Sequence, residues 1–197
     1  MLFNTKFYKI TRLKFPIHIL RFKGDIMKEA LLLQAQYNQF ANTNMIAIFK
    51  KASKELLYRD CGLYYGSIMQ TAEHILCSDI GIMLGRFRAF SSKALEEVEA
   101  ILQTLNPDHR LQSAIYEDIE AFGRLRSQVD SKIITLIESI EDFKSVDTLT
   151  FPGVEFKKPR GFFILALLNH ATHHRGQIAG ALDILNIEND FNGMLGM

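Results

Sequence analysis

The sequence predicts an all-α protein: a four-helix bundle with a short extra helix and a small β-hairpin before the last helix. Several long segments carry apolar residues at helical intervals. Only four prolines occur in 197 residues, so these segments are rarely interrupted, and a hydrophobic content of 48% is enough for a buried core. The chain shows no internal repeat and no low-complexity segment that would favour another architecture.

Residues 27–197 are predicted to form a single domain, because this length suffices for one core and is short for two. Residues 1–26 differ in charge, with six basic side chains and one acidic side chain, although the whole chain has a net charge of only +1. We interpret them as a basic N-terminal extension, and Met27 could itself be an initiator. Targeting or contact with a membrane surface is the alternative for such a segment.

The composition narrows the function classes. The body of the domain is acidic overall, which is not typical of nucleic-acid binding. No apolar run is long enough to span a membrane, so stable membrane insertion is not expected. The two cysteines, Cys61 and Cys77, are too few for a disulfide framework and form no CxxC pair, which favours a cytoplasmic location. No phosphate-binding glycine loop, nucleophile elbow or dinucleotide fingerprint is present.

The first long helix is predicted over residues 28–57, where apolar residues recur along a broad stripe without glycine or proline. It places Asn38 and Asn42 four residues apart, so that two side-chain amides share a face. Amides on a surface face are the simpler interpretation. Amides directed into a bundle would need hydrogen-bond partners there.

The second helix is predicted over residues 67–87, with Ser67 as a possible N-cap. Its apolar residues step by seven, which indicates a wide buried face. His74 lies in the middle of this helix, and Asp79 lies further along it. A lone buried histidine is more often a hydrogen-bonded core residue than a metal ligand, so His74 alone is a weak indication of metal binding.

A short amphipathic helix is predicted over residues 93–105, and a third long helix over residues 111–140. The sequence Asn106-Pro107-Asp108 separates the two, because proline cannot continue a helix. Apolar residues of the third helix recur at helical intervals along its whole predicted length.

Residues 148–156 alternate around Pro152-Gly153, a pattern that predicts a short β-hairpin. The last helix is predicted to begin near Pro159 and to continue to about Leu185, with Asn186 as an end signal.

Half of the chain's six histidines lie close together in this last helix. His170 and His174 are four residues apart and share one helix face, so their imidazoles can bind one transition-metal ion. His173 points about 100° away and is left out of the ligand set. From spacing alone, two unligated polar residues on a partly wet face explain the pair equally well.

A third ligand could come from the second helix. Facing helices in a bundle lie about 8–10 Å apart, so His74 could converge with His170 and His174 on one ion. Three histidines leave a coordination position open, as in catalytic metal sites, whereas closed four-ligand sites are structural. No HExxH motif supplies a general base, so peptidase chemistry of that type is not supported.

The segment Asn169-His170-Ala171-Thr172-His173-His174-Arg175-Gly176-Gln177 resembles the closing signature of the DinB family of bacterial four-helix bundles. Residues 37–42 resemble the first-helix pattern of that family, with Phe40 where tryptophan is usual. The second and third patterns are matched, in order, by Gly66-Ser67-Ile68, Thr71, His74-Ile75-Leu76, Asp79, Leu125-Arg126 and Asp130. The resemblance covers residues 30–186.

The resemblance implies a divalent metal held by His74, His170 and His174, and a homodimer. Some members of the family are metal-dependent transferases or isomerases that use a low-molecular-weight thiol. One departure is that Gly81-Ile82-Met83 stands where an aromatic residue is usual, so the substrate class is not carried over.

The main expectation is therefore a metal-dependent enzyme of thiol S-transferase or hydrolase type. It would bind a divalent metal and act on a small-molecule substrate, with a low-molecular-weight thiol as the candidate cosubstrate. The alternative is a non-catalytic, stress-related metal-binding bundle. Zinc, nickel and iron all suit imidazole ligands. Asn42, Asp79, Arg175 and Gln177 are the candidates for orienting ligands or substrate, because metal-bound imidazoles normally have such partners.

Overall fold

Four long helices carry the fold in the computed structural model, which describes residues 26–93, 95–191 and 193–197. The elements, in chain order, are α1 (Ile26–Lys51), α2 (Lys54–Tyr58), α3 (Ile68–Ser78), a π-helical turn (Asp79–Leu84), a 3-10 turn (Phe87–Phe90), α4 (Val98–Leu102), α5 (Ser113–Tyr116), α6 (Ile119–Ser139), β1 (Val146–Phe151), β2 (Val154–Pro159), α7 (Arg160–Ile184) and a 3-10 turn (Met194–Gly196). The predicted all-α bundle with a hairpin before the last helix is confirmed.

The long helices enclose one apolar core. Helix α1 packs against α6 and α7, and α3 packs against α7. Large side chains such as Phe49 and Phe122 are fully buried between them. Gly123 permits the close approach of α1 and α6, because a Cβ atom there would lie 2.8 Å from Cγ2 of Ile46. This packing explains a helical glycine that costs about 1 kcal/mol in propensity.

Three helices are shorter than predicted or are interrupted. For the one predicted over residues 111–140, a side-chain cap explains the interruption. The predicted helix over residues 111–140 is interrupted at Asp118, whose carboxylate accepts hydrogen bonds from the backbone N–H groups of Glu120 and Ala121 and caps α6. The helix predicted over residues 28–57 breaks at Ser53, where the backbone is extended, and resumes as α2. The short helix predicted over residues 93–105 is confined to α4.

The hairpin and the last helix follow each other directly. Strands β1 and β2 pair antiparallel, and Gly153 takes a left-handed φ of 81° at their turn. The guanidinium of Arg86 donates a 2.6 Å hydrogen bond to the carbonyl of Thr150 and holds the hairpin on the end of the second helical segment. Helix α7 ends just before Asn186, whose left-handed φ of 55° agrees with its predicted role as an end signal.

None of the helices within the described ranges combines the length and apolarity needed to cross a membrane. The predicted basic extension, residues 1–26, lies outside the described residues except for Ile26.

Candidate metal centre

Three histidines from two helices converge at one point of the bundle. His74 comes from α3, and His170 and His174 come from α7. The Nε2 atom of His170 lies 3.0 Å from the Nε2 atoms of both His74 and His174. The rings meet edge-on at interplanar angles of 70–84°, and their candidate ligand atoms all lie within 4.8 Å of one another. We call these three residues the histidine cluster.

The local sequence fixes how each helix presents its histidines. Helix α3 begins with a capping box, in which the hydroxyl of Ser67 accepts from the backbone N–H of Gln70 and the Gln70 side chain accepts from that of Ser67. Ile75 and Leu76 are buried beside His74 and anchor this face of α3 in the core. The i,i+4 spacing on α7 brings the other two imidazoles into line.

The two separations of 3.0 Å in the cluster match those of a metal site. Metal–nitrogen bonds of about 2.0–2.1 Å put adjacent ligand nitrogens about 2.8–3.4 Å apart, for angles between a right angle and the tetrahedral angle. Mutual hydrogen bonding does not account for the arrangement equally well. A ring nitrogen carries either one proton or one lone pair, so Nε2 of His170 cannot make two full hydrogen bonds. The donor set therefore fits a divalent cation.

Burial keeps the imidazoles neutral. Desolvation, followed by the neighbouring histidines, lowers the pKa of His74 to about 3 and that of His170 to about 4. The pKa of His174 is also lowered by desolvation, although its hydrogen bond with Gln177 opposes the shift. Metals bind neutral imidazole, so protons do not compete with a cation for these nitrogens near neutral pH.

Of the four residues predicted to orient the site, Gln177 contacts a histidine directly. Its Oε1 atom lies 2.6 Å from Nδ1 of His174. Because an amide oxygen accepts, Nδ1 carries the proton and the lone pair of Nε2 is left for a metal. His173, by contrast, is exposed and meets the His174 ring edge-on. Nδ1 of His170 is buried and has no hydrogen-bond partner within the described part of the chain.

Asn42, Asp79 and Arg175 belong to a different group of side chains. We call it the buried polar network, and it joins all four long helical segments through Asn38, Asn42, Asp79, Arg126, Asp130 and Arg175. No hydrogen bond recorded between described residues links it to the histidine cluster. The contribution of these three residues to the metal site remains a prediction.

Arginine–carboxylate pairs organise one half of this network. Arg126 donates to Asp79 and to Asp130, each at 2.8 Å. Asn42 donates to the Asp130 carboxylate at 2.9 Å and accepts from Arg175 at 3.2 Å. Burial raises the pKa of Asp130 to about 6, although Arg126 opposes the shift.

The other half of the network holds α7 against α1. Arg175 donates a 2.6 Å hydrogen bond to Oδ1 of Asn38, whose amide donates to the carbonyl of Leu168 at 3.2 Å. Arg175 follows His174 in the chain, so this contact sets the rotation of the helix that presents two of the histidines. The two asparagines, which the sequence allowed on a surface face, are in fact buried and partnered.

One residue of the site, Tyr65, was missed by reasoning from the sequence. Its hydroxyl lies 2.9 Å from Nε2 of His74, and its ring stacks on that imidazole at 4.0 Å between centroids. Desolvation, followed by Tyr64, raises the pKa of Tyr65 to about 12. The available signal was its position two residues before Ser67, the N-cap of the helix that carries His74.

Two surface grooves lie away from the histidines. One, of about 340 Å³, opens between α1 and α6 over Asn42, Arg126 and Asp130. The other, of about 450 Å³, separates the hairpin from Phe87, Phe90 and Phe163. His74 and His170 are themselves partly exposed, so solvent reaches the cluster directly.

Comparison with known proteins agrees with the resemblance seen in the motifs. A model of the DinB family matches residues 27–185, which include every residue of the histidine cluster and of the buried polar network. Protein DinB of Bacillus subtilis (strain 168) is 24% identical over 148 residues, which are 75% of this chain and 81% of that protein.

Proposed function

Because this chain belongs to the DinB family and gathers three histidines at one point, we propose that it is a metal-dependent enzyme of thiol S-transferase or hydrolase type. The observation that carries the proposal is the convergence of three neutral imidazole nitrogens with 3.0 Å between neighbours. Three protein ligands are the pattern of catalytic sites, because a position is left for a reacting group.

His74, His170 and His174 would hold the cation, for which zinc, nickel and iron are the candidates. When bound, a divalent cation lowers the pKa of a thiol or of water in the open position and so supplies a nucleophile near neutral pH. Gln177 keeps the proton of His174 on Nδ1. Ile75 and Leu76 close the core side of the site against water.

A small-molecule substrate and a low-molecular-weight thiol as cosubstrate complete the proposal. Partial exposure of His74 and His170 supports this size class, because a small molecule can reach the cluster without any opening of the bundle. We expect a thiol sulfur or a water oxygen to enter from this exposed side.

The test begins with metal analysis of the purified protein, in which we expect close to one divalent ion per chain. His170→Ala and His174→Ala should lose the ion and remain helical by circular dichroism. His173→Ala is the matched control, because this exposed neighbour on the same helix should retain the ion. Stoichiometric metal in His170→Ala would refute the ligand assignment, and turnover assays of the loaded protein with thiols and electrophiles then test catalysis.

The alternative is a non-catalytic, stress-related metal-binding bundle. The hydroxyl of Tyr65 favours it in one respect, because a fourth protein ligand would close the coordination shell. In that case a metal-loaded protein would be more stable than the metal-free protein and would turn over no thiol or electrophile.

We also propose a homodimer. Phe162 and Leu165 are about half exposed on α7, and Gly176 and Gly180 lie on the same helix with no atom of the described chain near their missing Cβ positions. Two helical glycines without a packing reason inside the chain are explained if a second copy packs there. Light scattering coupled to size-exclusion chromatography measures the mass directly, and a monomer at micromolar concentration would refute the dimer.

A further inference from the structure

Tyr65 brings an oxygen atom to the histidine cluster. Its hydroxyl is 2.9 Å from Nε2 of His74, and its ring lies nearly parallel to that imidazole, with 22° between the planes. The same ring meets His174 edge-on at 5.5 Å between centroids. One tyrosine side chain thus touches histidines from both of the helices that build the site.

The loop before α3 holds Tyr65 rigidly. The backbone N–H of Cys61 donates to the carbonyl of Gly66 at 2.9 Å, and the N–H of Gly66 donates to the carbonyl of Leu63 at 2.8 Å. Gly66 has a left-handed φ of 89°, and a Cβ atom there would lie 2.7 Å from the side-chain oxygen of Gln70. Tyr65 is therefore fixed relative to the capping box of the helix that carries His74.

Tyr65 and a metal ion would compete for the same atom. The hydroxyl hydrogen-bonds to Nε2 of His74, which is also the nitrogen that faces His170. The single lone pair on that nitrogen cannot accept a hydrogen bond and bind a cation at the same time. With His74 engaged as a ligand, the hydroxyl loses its partner while the loop still holds it at the rim of the cluster.

We infer that the Tyr65 hydroxyl donates a hydrogen bond to the sulfur or oxygen atom that occupies the open position beside the three histidines. This inference rests on the proposed function. A phenol hydroxyl can donate its one proton, so it enters the site as a hydrogen-bond donor. A donor in this place stabilises negative charge on a thiolate or an oxygen, and therefore favours electron-rich ligands there.

Tyr65→Phe removes the hydroxyl and keeps the stacked ring. Tyr64→Phe is the matched control, because Tyr64 is 77% exposed and its one ring contact within the described part of the chain is with Tyr65. Each protein is loaded with cobalt(II) and titrated with 2-mercaptoethanol, and binding is followed by the sulfur-to-cobalt charge-transfer absorption. We expect all three proteins to hold one cobalt per chain. The thiol should bind about tenfold more weakly to Tyr65→Phe than to the wild type or to Tyr64→Phe.

Equal thiol affinity in Tyr65→Phe and the wild type would overturn the inference and leave the proposed function standing. Loss of cobalt from Tyr65→Phe, or a changed ligand-field spectrum before thiol is added, would also overturn it, because the hydroxyl would then be a ligand itself. A wild-type protein that binds no cobalt would refute the proposed function, and the inference with it, before any thiol is added. Circular dichroism of Tyr65→Phe shows whether the helices are intact.

Discussion

Two groups of polar side chains lie between the helices, and they differ in how their atoms are partnered. In the buried polar network, Arg126 donates to two aspartates and Arg175 donates to two asparagines, so carboxylate and amide oxygens from different helices accept hydrogen bonds. In the histidine cluster, three uncharged rings turn their nitrogens toward one another. Among the fully buried side-chain atoms of the network, Nε of Arg126 and Nε of Arg175 have no hydrogen-bond partner within the described part of the chain.

This difference indicates that the buried polar network is structural and that the histidine cluster binds a ligand. Buried charges are tolerated when they are paired and hydrogen-bonded, so the network can connect four helical segments without any added ligand. Three imidazole nitrogens that face one another cannot all be paired by mutual hydrogen bonds, and the arrangement becomes favourable when a cation lies between them. The network therefore holds the helices in the positions at which the cluster can bind.

The largest expected effect comes from breaking the network. Arg126→Met removes the cation shared by Asp79 and Asp130 and leaves two buried carboxylates without it. We expect the free energy of unfolding in urea to fall by about 3–5 kcal/mol. Arg124→Met, at an exposed position on the same helix, is the control and should change it by less than about 0.5 kcal/mol. A small loss in Arg126→Met would show that the network does not stabilise the bundle.

The second prediction concerns the cluster alone. Gln177→Leu removes the acceptor that keeps the proton of His174 on Nδ1, so we expect metal affinity to fall by about 10–100-fold. Competition with a chelator measures this affinity. Urea unfolding of the metal-free variant should match that of the metal-free wild type within about 1 kcal/mol. Unchanged metal affinity would mean that Gln177 does not orient the ligand.

The smallest expected effect is on the pH dependence of the free energy of unfolding. It is measured in the presence of a chelator, so that no metal is bound. His74 and His170 have folded-state pKa values of about 3 and about 4, below the ordinary value of about 6.5, so the unfolded state binds more protons between these limits. Each should therefore lower the free energy of unfolding as pH falls below about 6.5, and because both rings are partly exposed, screening by solvent keeps the slope well below ~1.4 kcal/mol per pH unit.

Asp130 should act in the opposite direction. Its folded-state pKa of about 6 exceeds the ordinary aspartate pKa of 3.8, so the folded state binds more protons and gains stability as pH falls from 6 toward 4. The test is urea unfolding between pH 4 and 6.5. On acidification, the free energy of unfolding should fall less in His170→Asn than in the wild type, and it should fall more in Asp130→Asn. Equal slopes in the two variants would contradict the assigned protonation states.

Predictions from the sequence succeeded where the controlling interactions are local. Helical periodicity located the four long helices, alternation around Pro152-Gly153 located the hairpin, and the i,i+4 rule paired His170 with His174. The break at Asp118 was missed because a single cap outweighs an apolar pattern that continues on both sides. Bundle geometry offered His74 as a possible third ligand, and the resemblance to the DinB family implied that role.

The sequence by itself determined the helix content, the family and the shared face of the two α7 histidines, because these depend on residues near one another in the chain. Only the tertiary structure decided that Tyr65 joins His74, and that the hydrogen bonds of Asn42, Asp79 and Arg175 lie in a separate buried network. The physical reason is that contacts between elements depend on which helix faces meet, and the packing of the whole core sets that choice.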